Sequence, residues 1–169
     1  MLLQVKLYLE LKAIETFMIT VDALVSATQA ASGRYHRLVV IVAPKGGGKT
    51  AVLEQAQNLL NAAWVNLGLE LSRRLLEMTE RQRTLRLQRV LDDILLPYPL
   101  EQVIIFDNTE ILFDRSLALH PLNLLQSLSR NRTLITAWSG SIENGWLTYA
   151  SPGHPEYQRY PIQDLLYVH

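Results

Sequence analysis

Three consecutive glycines followed by a lysine and a threonine, Gly46-Gly47-Gly48-Lys49-Thr50, are the residues whose types and spacing most directly suggest chemistry. Glycine allows backbone at positive φ and lets a ligand approach the main chain closely. At the entry to a helix, such backbone offers several N–H groups and the positive end of the helix dipole to an anion. In the run Ala43-Pro44-Lys45-Gly46-Gly47-Gly48-Lys49-Thr50 the lysine is set to meet the outer phosphates of a nucleoside triphosphate, and the threonine hydroxyl to ligate Mg²⁺. Pro44, Lys45, Gly46, Gly47, Gly48, Lys49, Thr50 and Ala51 are therefore the candidate nucleotide-binding residues. The pattern ordinarily opens on glycine where Ala43 stands, and alanine serves there if φ stays negative. Lys45 reads either as a second phosphate contact or as a solvated loop charge. A glycine turn with an incidental lysine is the bland alternative, but a preceding apolar run and a following helical pattern coincide with the glycine spacing as a phosphate loop requires.

The metal of a bound triphosphate needs a carboxylate at the end of a neighbouring buried strand, and Asp107, directly after Val103-Ile104-Ile105-Phe106, is so placed. Thr50 and Asp107 are the candidate Mg²⁺ ligands. Hydrolysis further requires a group that orients or deprotonates water. The residue after Asp107 is Asn108, which cannot act as a base, so Glu110 and Glu70 are the candidates, each also readable as an exposed carboxylate. Near the end of the run Thr133 to Ser139, Ser139 is the first choice and Thr136 the second for a hydroxyl that senses the terminal phosphate; satisfying local backbone is the alternative use of either.

Arg73, Arg74, Arg81, Arg83, Arg86 and Arg89 form an arginine-rich window, with Arg83, Arg86 and Arg89 at every third position. Such a stripe could follow nucleic-acid phosphates. The preferred reading is a solvated face, with Glu77 four residues before Arg81 and Asp93 four after Arg89 available for ion pairs. Arg130 and Arg132 could reach the nucleotide of a neighbouring subunit, although capping a helix end is the favoured role. Lysine plus arginine equals aspartate plus glutamate at 16 each, so net charge supplies no argument for a nucleic-acid partner. Without cysteine, thiolate metal sites and cysteine nucleophiles are excluded, and the scattered histidines lack ligand spacing.

The elements that must position these residues follow from the apolar pattern. Leu38-Val39-Val40-Ile41-Val42 is a continuous β-branched run, expected as a strand covered on both faces. The glycine loop follows it, then a helix over Thr50 to Asn61, a strand over Ala62 to Leu67, and helix from Leu69 to about Leu96 broken near Thr79 and stopped by Pro97-Tyr98-Pro99. Val103 to Phe106 is the third strand, Pro121 to Arg130 a helix, Thr133 to Trp138 the fourth strand, and Leu147 to Ala150 and Leu165 to Val168 are strand-like. Alternation of strand and helix predicts an α/β domain of three layers around a mainly parallel five-stranded sheet. Ahead of it, Leu7, Leu11, Ile14, Met18, Val21 and Val25 lie on one face of an amphipathic helix ending near Ala31-Ser32-Gly33, which packs on its own core or contacts another subunit. The division is an N-terminal helical segment, 1–33, and a nucleotide-binding domain, 34–169. Charges interrupt the apolar amino terminus, so no signal peptide or membrane span is expected and the protein is expected in the cytoplasm. The Asn131-Arg132-Thr133 glycosylation triplet is discounted on that basis.

The loop at 43–50, the Asp107-Asn108-Thr109-Glu110 segment and the strand order resemble the ASCE division of P-loop NTPases, which includes the RecA and AAA+ proteins, over about Arg34 to Ser139. Asp107 resembles its Walker B aspartate, and some RecA-like members hold a catalytic glutamate where Glu70 stands. The small size, the Leu69-Glu70-Leu71-Ser72-Arg73-Arg74-Leu75-Leu76 segment and the Ile105-Phe106-Asp107-Asn108 ending are most similar to BrxF, the compact P-loop family of BREX bacteriophage-defence systems. The resemblance implies a P-loop fold, ATP and Mg²⁺ as ligands, an ATPase or ATP-dependent switch, and self-association or other defence components as partners. Adenine rather than guanine rests on this likeness.

Overall fold

The computed structural model describes residues 20–169. The segment from Leu7 to Met18, read as helical, lies outside them. Helix α1 spans Val21–Ala31, and its start is fixed by Thr20, an extended N-cap whose hydroxyl accepts from the Ala23 N–H at 3.2 Å. The apolar periodicity that runs through residue 20 therefore does not correspond to one unbroken helix. Leu24 and Ala31 are buried, and α1 packs on the sheet and on the helix that follows the glycine loop, as an element of one core.

Strand β1, Leu38–Ala43, is buried along its whole length, as its unbroken apolar run requires. The glycine loop leads into α2, Lys49–Leu60. Strand β2, Ala63–Asn66, passes without a connector into α3, Leu67–Leu75, because the Asn66 side chain caps that helix at the Leu69 N–H, 3.0 Å away. Helix α4, Glu80–Leu95, begins with a reciprocal Thr79–Gln82 capping box, which explains the break near Thr79. Strand β3, Ile104–Asp107, then runs into a 3₁₀ helix, Thr109–Phe113, and a second one, Arg115–Leu117. Helix α5 occupies Pro121–Leu128, with proline in its first turn.

The long strand β4, Leu134–Glu143, is followed by β5, Trp146–Tyr149, β6, Gln158–Pro161, and β7, Leu166–Val168. Five strands in the order β2-β3-β4-β1-β7 are all parallel. The outer half of β4 leaves this arrangement and pairs antiparallel with β5, which pairs with β6. The sheet thus has seven strands, five of them parallel, and of the two late strand-like runs it is Leu165 to Val168 that joins the parallel set. The β4–β5 connection is a two-residue turn, Asn144-Gly145, with both residues at positive φ, the turn that suits the twist of a hairpin. At Gly140 the two strands come so close that a Cβ would lie 1.8 Å from the Thr148 carbonyl oxygen. A side chain is excluded there by volume.

The period-2 alternation of the strands sorts the core into two halves. Val39, Ile41, Ile105, Ile135 and Ala137 face α1 and α2, while Leu38, Val40, Val42, Ile104, Phe106, Leu134 and Trp138 face α3, α4 and α5. The molecule is an α/β domain with helices on both faces of a mostly parallel sheet. The loop after β1, the end of β3 and the middle of β4 consequently meet at one edge of the sheet, where the strands' C-terminal ends lie.

Candidate functional site

Ala43, the last residue of β1, is level with Ser139 of β4. It is not among the residues with positive φ, so the missing glycine at this position carries no conformational cost. Gly46 and Gly48 both adopt φ +79°, and Gly47 packs so tightly that a Cβ there would sit 2.9 Å from both the Ala43 Cβ and the Pro44 oxygen. The Gly47 N–H donates to the Pro44 carbonyl at 3.0 Å. Each of the three glycines is thus required by backbone geometry, for two different reasons.

Gly48 is the N-cap of α2 and provides no side-chain cap. The other four described α-helices each have one: Thr20, Asn66, Thr79 and His120 accept a hydrogen bond from the first turn. The first-turn N–H groups of a helix have no partner within it. Helix α2 alone presents them without a protein cap, at the head of a glycine loop, which is the arrangement that suits an anion.

Lys49 is buried at this point. Its ammonium donates to the carbonyls of Ala43 at 2.8 Å and Pro44 at 3.0 Å, which use two of its three protons. Burial pushes the Lys49 pKa below the ordinary lysine value, and the negative charges of Glu110 and, after it, Asp107 oppose that shift. Lys49, Glu110 and Asp107 therefore form one electrostatic group at the strand ends. Thr50 and Ala51 follow on the exposed first turn of α2. Among the described residues, no three or more His, Cys, Asp or Glu side chains gather into a metal cage. A Mg²⁺ at Thr50 and Asp107 would need phosphate and water oxygens to complete its shell, as this ion usually does.

The structure separates the two carboxylates proposed for water activation. The Glu110 carboxylate accepts a hydrogen bond from the Ser139 hydroxyl at 2.6 Å. Glu70 lies on α3 paired with Arg74 at 3.5 Å, and its charge is not among those acting on Lys49. Thr136, the second choice beside Ser139, is fully buried with its hydroxyl turned to the Ala137 carbonyl, so Ser139 is the hydroxyl at the sheet edge. Asn108 adopts a left-handed conformation, φ 53° and ψ 50°, that turns the chain from β3 into the 3₁₀ helix.

Thr109 was not among the expected site residues. It is buried, and its hydroxyl donates to the Ala137 carbonyl across to β4, which pins the 3₁₀ helix and sets the next residue, Glu110, beside Ser139. Its position between Asp107 and Glu110 was the available signal, but its partner is 28 residues away in the chain. The antiparallel extension was also absent from the expectations. A cleft of about 650 Å³ opens beside Glu110 and Ser139, meets the loop at Pro44 and Lys45, and is walled by Thr148, Tyr149, Glu143 and Glu156 from the extension and its connections. Its size is that of a small-molecule site. Gly46 to Thr50 and Asp107 stand outside its lining. Tyr149, which stacks face to face on Phe113, has its hydroxyl pKa pushed up to about 12 by burial and by the charges of Glu156 and Glu110.

The arginine stripe does not survive as three equivalent cations. Arg83 Nε donates to the carbonyls of Leu75 and Met78, stapling the end of α3 to α4, while Arg86 and Arg89 are exposed. The ion pairs expected for that face are not formed: Arg74–Glu70 is the one ion pair among the described residues. Glu77 precedes the α4 cap and so is not on one helix with Arg81. Arg130 packs over the Tyr35 ring and Arg132 is buried, both at the sheet edge opposite the glycine loop. Among the described residues no helix is long and apolar enough to cross a membrane. Compared with known proteins, the chain matches no family model, no curated protein and no solved structure.

Proposed function

We propose that this chain binds ATP with Mg²⁺ on the 43–50 loop and acts as an ATPase or ATP-dependent switch, of the P-loop kind. The observation that carries the reading is α2, which lacks a side-chain cap and follows a glycine loop with Lys49, Glu110 and Asp107 gathered beside it. The first-turn N–H groups of α2 would hold phosphate oxygens, and the Lys49 ammonium would turn from the Ala43 and Pro44 carbonyls toward the β and γ phosphates. Thr50 and Asp107 would hold Mg²⁺, which neutralises phosphate charge when bound. Glu110 would accept the proton of the attacking water, with Ser139 orienting its carboxylate. The order β2-β3-β4-β1-β7, with the Asp107 strand one strand removed from the loop strand, supports the likeness to the ASCE division. The place in a bacterial phage-defence complex of the BREX type rests on the sequence resemblance to BrxF.

A second reading, a nucleotide-binding module that holds ATP without turnover, is favoured by one observation: Asn108, an amide that cannot act as a base, directly follows Asp107. Equilibrium binding of ATP and steady-state hydrolysis with Mg²⁺, for the wild type and Lys49→Ala, separate the readings. Turnover lost in the variant establishes the enzyme, and tight binding without turnover removes the enzyme and leaves a switch or module. A wild type that binds no nucleotide refutes both.

A further inference from the structure

At the other end of the sheet, where the chain enters β3 and β4, a cleft of about 600 Å³ lies between the C-terminal end of α4, the connection to β3 and the turn from α5 into β4. Arg132 lines this cleft and is only 8% exposed. Its Nη1 has no hydrogen-bond partner, and it is the one buried side-chain nitrogen or oxygen among the described residues in that condition. The ion pair formed among those residues is elsewhere, on α3, so no carboxylate of the described chain neutralises Arg132. Burial lowers the Arg132 pKa, and no neighbouring charge opposes that shift. A buried cation without a partner is costly, and a ligand that supplies the missing charge is one way to offset that cost.

The surroundings restrict what that ligand is. Leu96 at 79% exposure and Leu100 at 53% stand on the cleft rim and offer apolar surface to water. Arg130, whose guanidinium lies over the Tyr35 ring, and Asp92 also line the cleft, and their charges offset each other. One compact negative charge therefore balances the Arg132 guanidinium, and a dianion or a run of phosphates would leave charge unmatched. The rim also rewards apolar groups on either side of that charge. We infer that the cleft floored by Arg132 is a docking site for a partner protein's apolar segment bearing a single carboxylate, which pairs with the Arg132 guanidinium while flanking aliphatic side chains cover Leu96 and Leu100. The inference is independent of nucleotide binding, since the two sites lie at opposite sheet edges.

The test follows the Nε–Hε NMR cross-peak of Arg132 in the full chain, assigned by its loss in Arg132→Lys. The probes are an acetylated, amidated tripeptide with glutamate between two leucines, its glutamine counterpart, inorganic phosphate, and a short single-stranded oligonucleotide. The glutamate peptide is expected to shift the peak saturably, and the glutamine peptide to bind about tenfold or more weakly, because a charge-assisted bond becomes a neutral one. No shift with the glutamate peptide, equal binding of the two peptides, or tighter binding of phosphate or oligonucleotide would overturn the proposal. Arg132→Met is expected to abolish peptide binding without lowering the unfolding midpoint. A large loss of stability in that variant would mark the arginine as structural and count against the site. Leu100→Asp, on the exposed rim, is expected to fold normally and bind the glutamate peptide about tenfold more weakly through like-charge repulsion; unchanged binding would overturn the apolar half of the proposal.

Discussion

Thr109→Val removes one hydroxyl and little else, and it tests how Glu110 is held. The Thr109 hydroxyl is buried and donates to the Ala137 carbonyl, while the carboxylate of the next residue accepts from Ser139 at 2.6 Å. Valine has nearly the same shape but no donor, so the Ala137 carbonyl loses this bond and keeps the longer one from Thr136. Loss of one such bond costs about 0.5–1.5 kcal/mol. In a domain of this size each kcal/mol lowers the melting temperature by roughly 2–4 °C. The same bond ties the 3₁₀ helix to β4, so its loss frees Glu110 from its place beside Ser139. Misplacement of a catalytic group by about 1 Å can cost on the order of a hundredfold in rate. The loop, Lys49 and α2 do not depend on this contact, so MgATP affinity is expected to change by less than about threefold, under 1 kcal/mol. Urea unfolding, nucleotide binding and steady-state hydrolysis of the purified variant read the three quantities separately. A variant that keeps wild-type turnover would refute Glu110 as the water-activating group, and one that loses binding in proportion to turnover would refute the separation of loop from base.

Further substitutions address other parts of the molecule. Gly140→Ala places a Cβ 1.8 Å from the Thr148 oxygen, so β4 and β5 must separate; destabilisation of about 3 kcal/mol or more is expected from the clash and the lost pairing, measured by urea denaturation. Lys49 has a folded pKa below its unfolded value of 10.5, so the unfolded chain holds the extra proton between those two values and wild-type stability gains from this group as pH rises through that window. Lys49→Met is expected to abolish that gain, and an identical stability profile for the two proteins up to pH 10.5 would contradict the burial argument. Tyr149 has the opposite sign: its hydroxyl pKa is raised from 10 to about 12 by burial, so stability falls as pH rises between these values. Tyr149→Phe should remove this alkaline loss, as read by unfolding at several pH values.

Local pattern alone determined much of this protein. Unbroken apolar runs marked β1 and β3 as strands buried on both faces, and Pro97-Tyr98-Pro99 ended α4 because proline cannot continue a helix. The glycines, lysine and threonine between an apolar run and a helical pattern located the loop, since its backbone needs are written in neighbouring residues. The strand-like run Leu147 to Ala150 matches β5, but its antiparallel pairing with β4 through the Asn144-Gly145 turn was not expected. The start of α1 at Thr20 was not read from the apolar repeat, because the repeat carries no start signal and the capping hydroxyl supplies it. What the tertiary structure decided concerns partners distant in the chain. It set Glu110 rather than Glu70 beside the loop, joined Thr109 to β4, turned Arg83 from a surface stripe into a helix staple, and left Arg132 buried without a counter-charge. A side chain's identity limits the bonds it can make, but which bond forms depends on which strands become neighbours. Here that is the order β2-β3-β4-β1-β7, which no local run of residues contains.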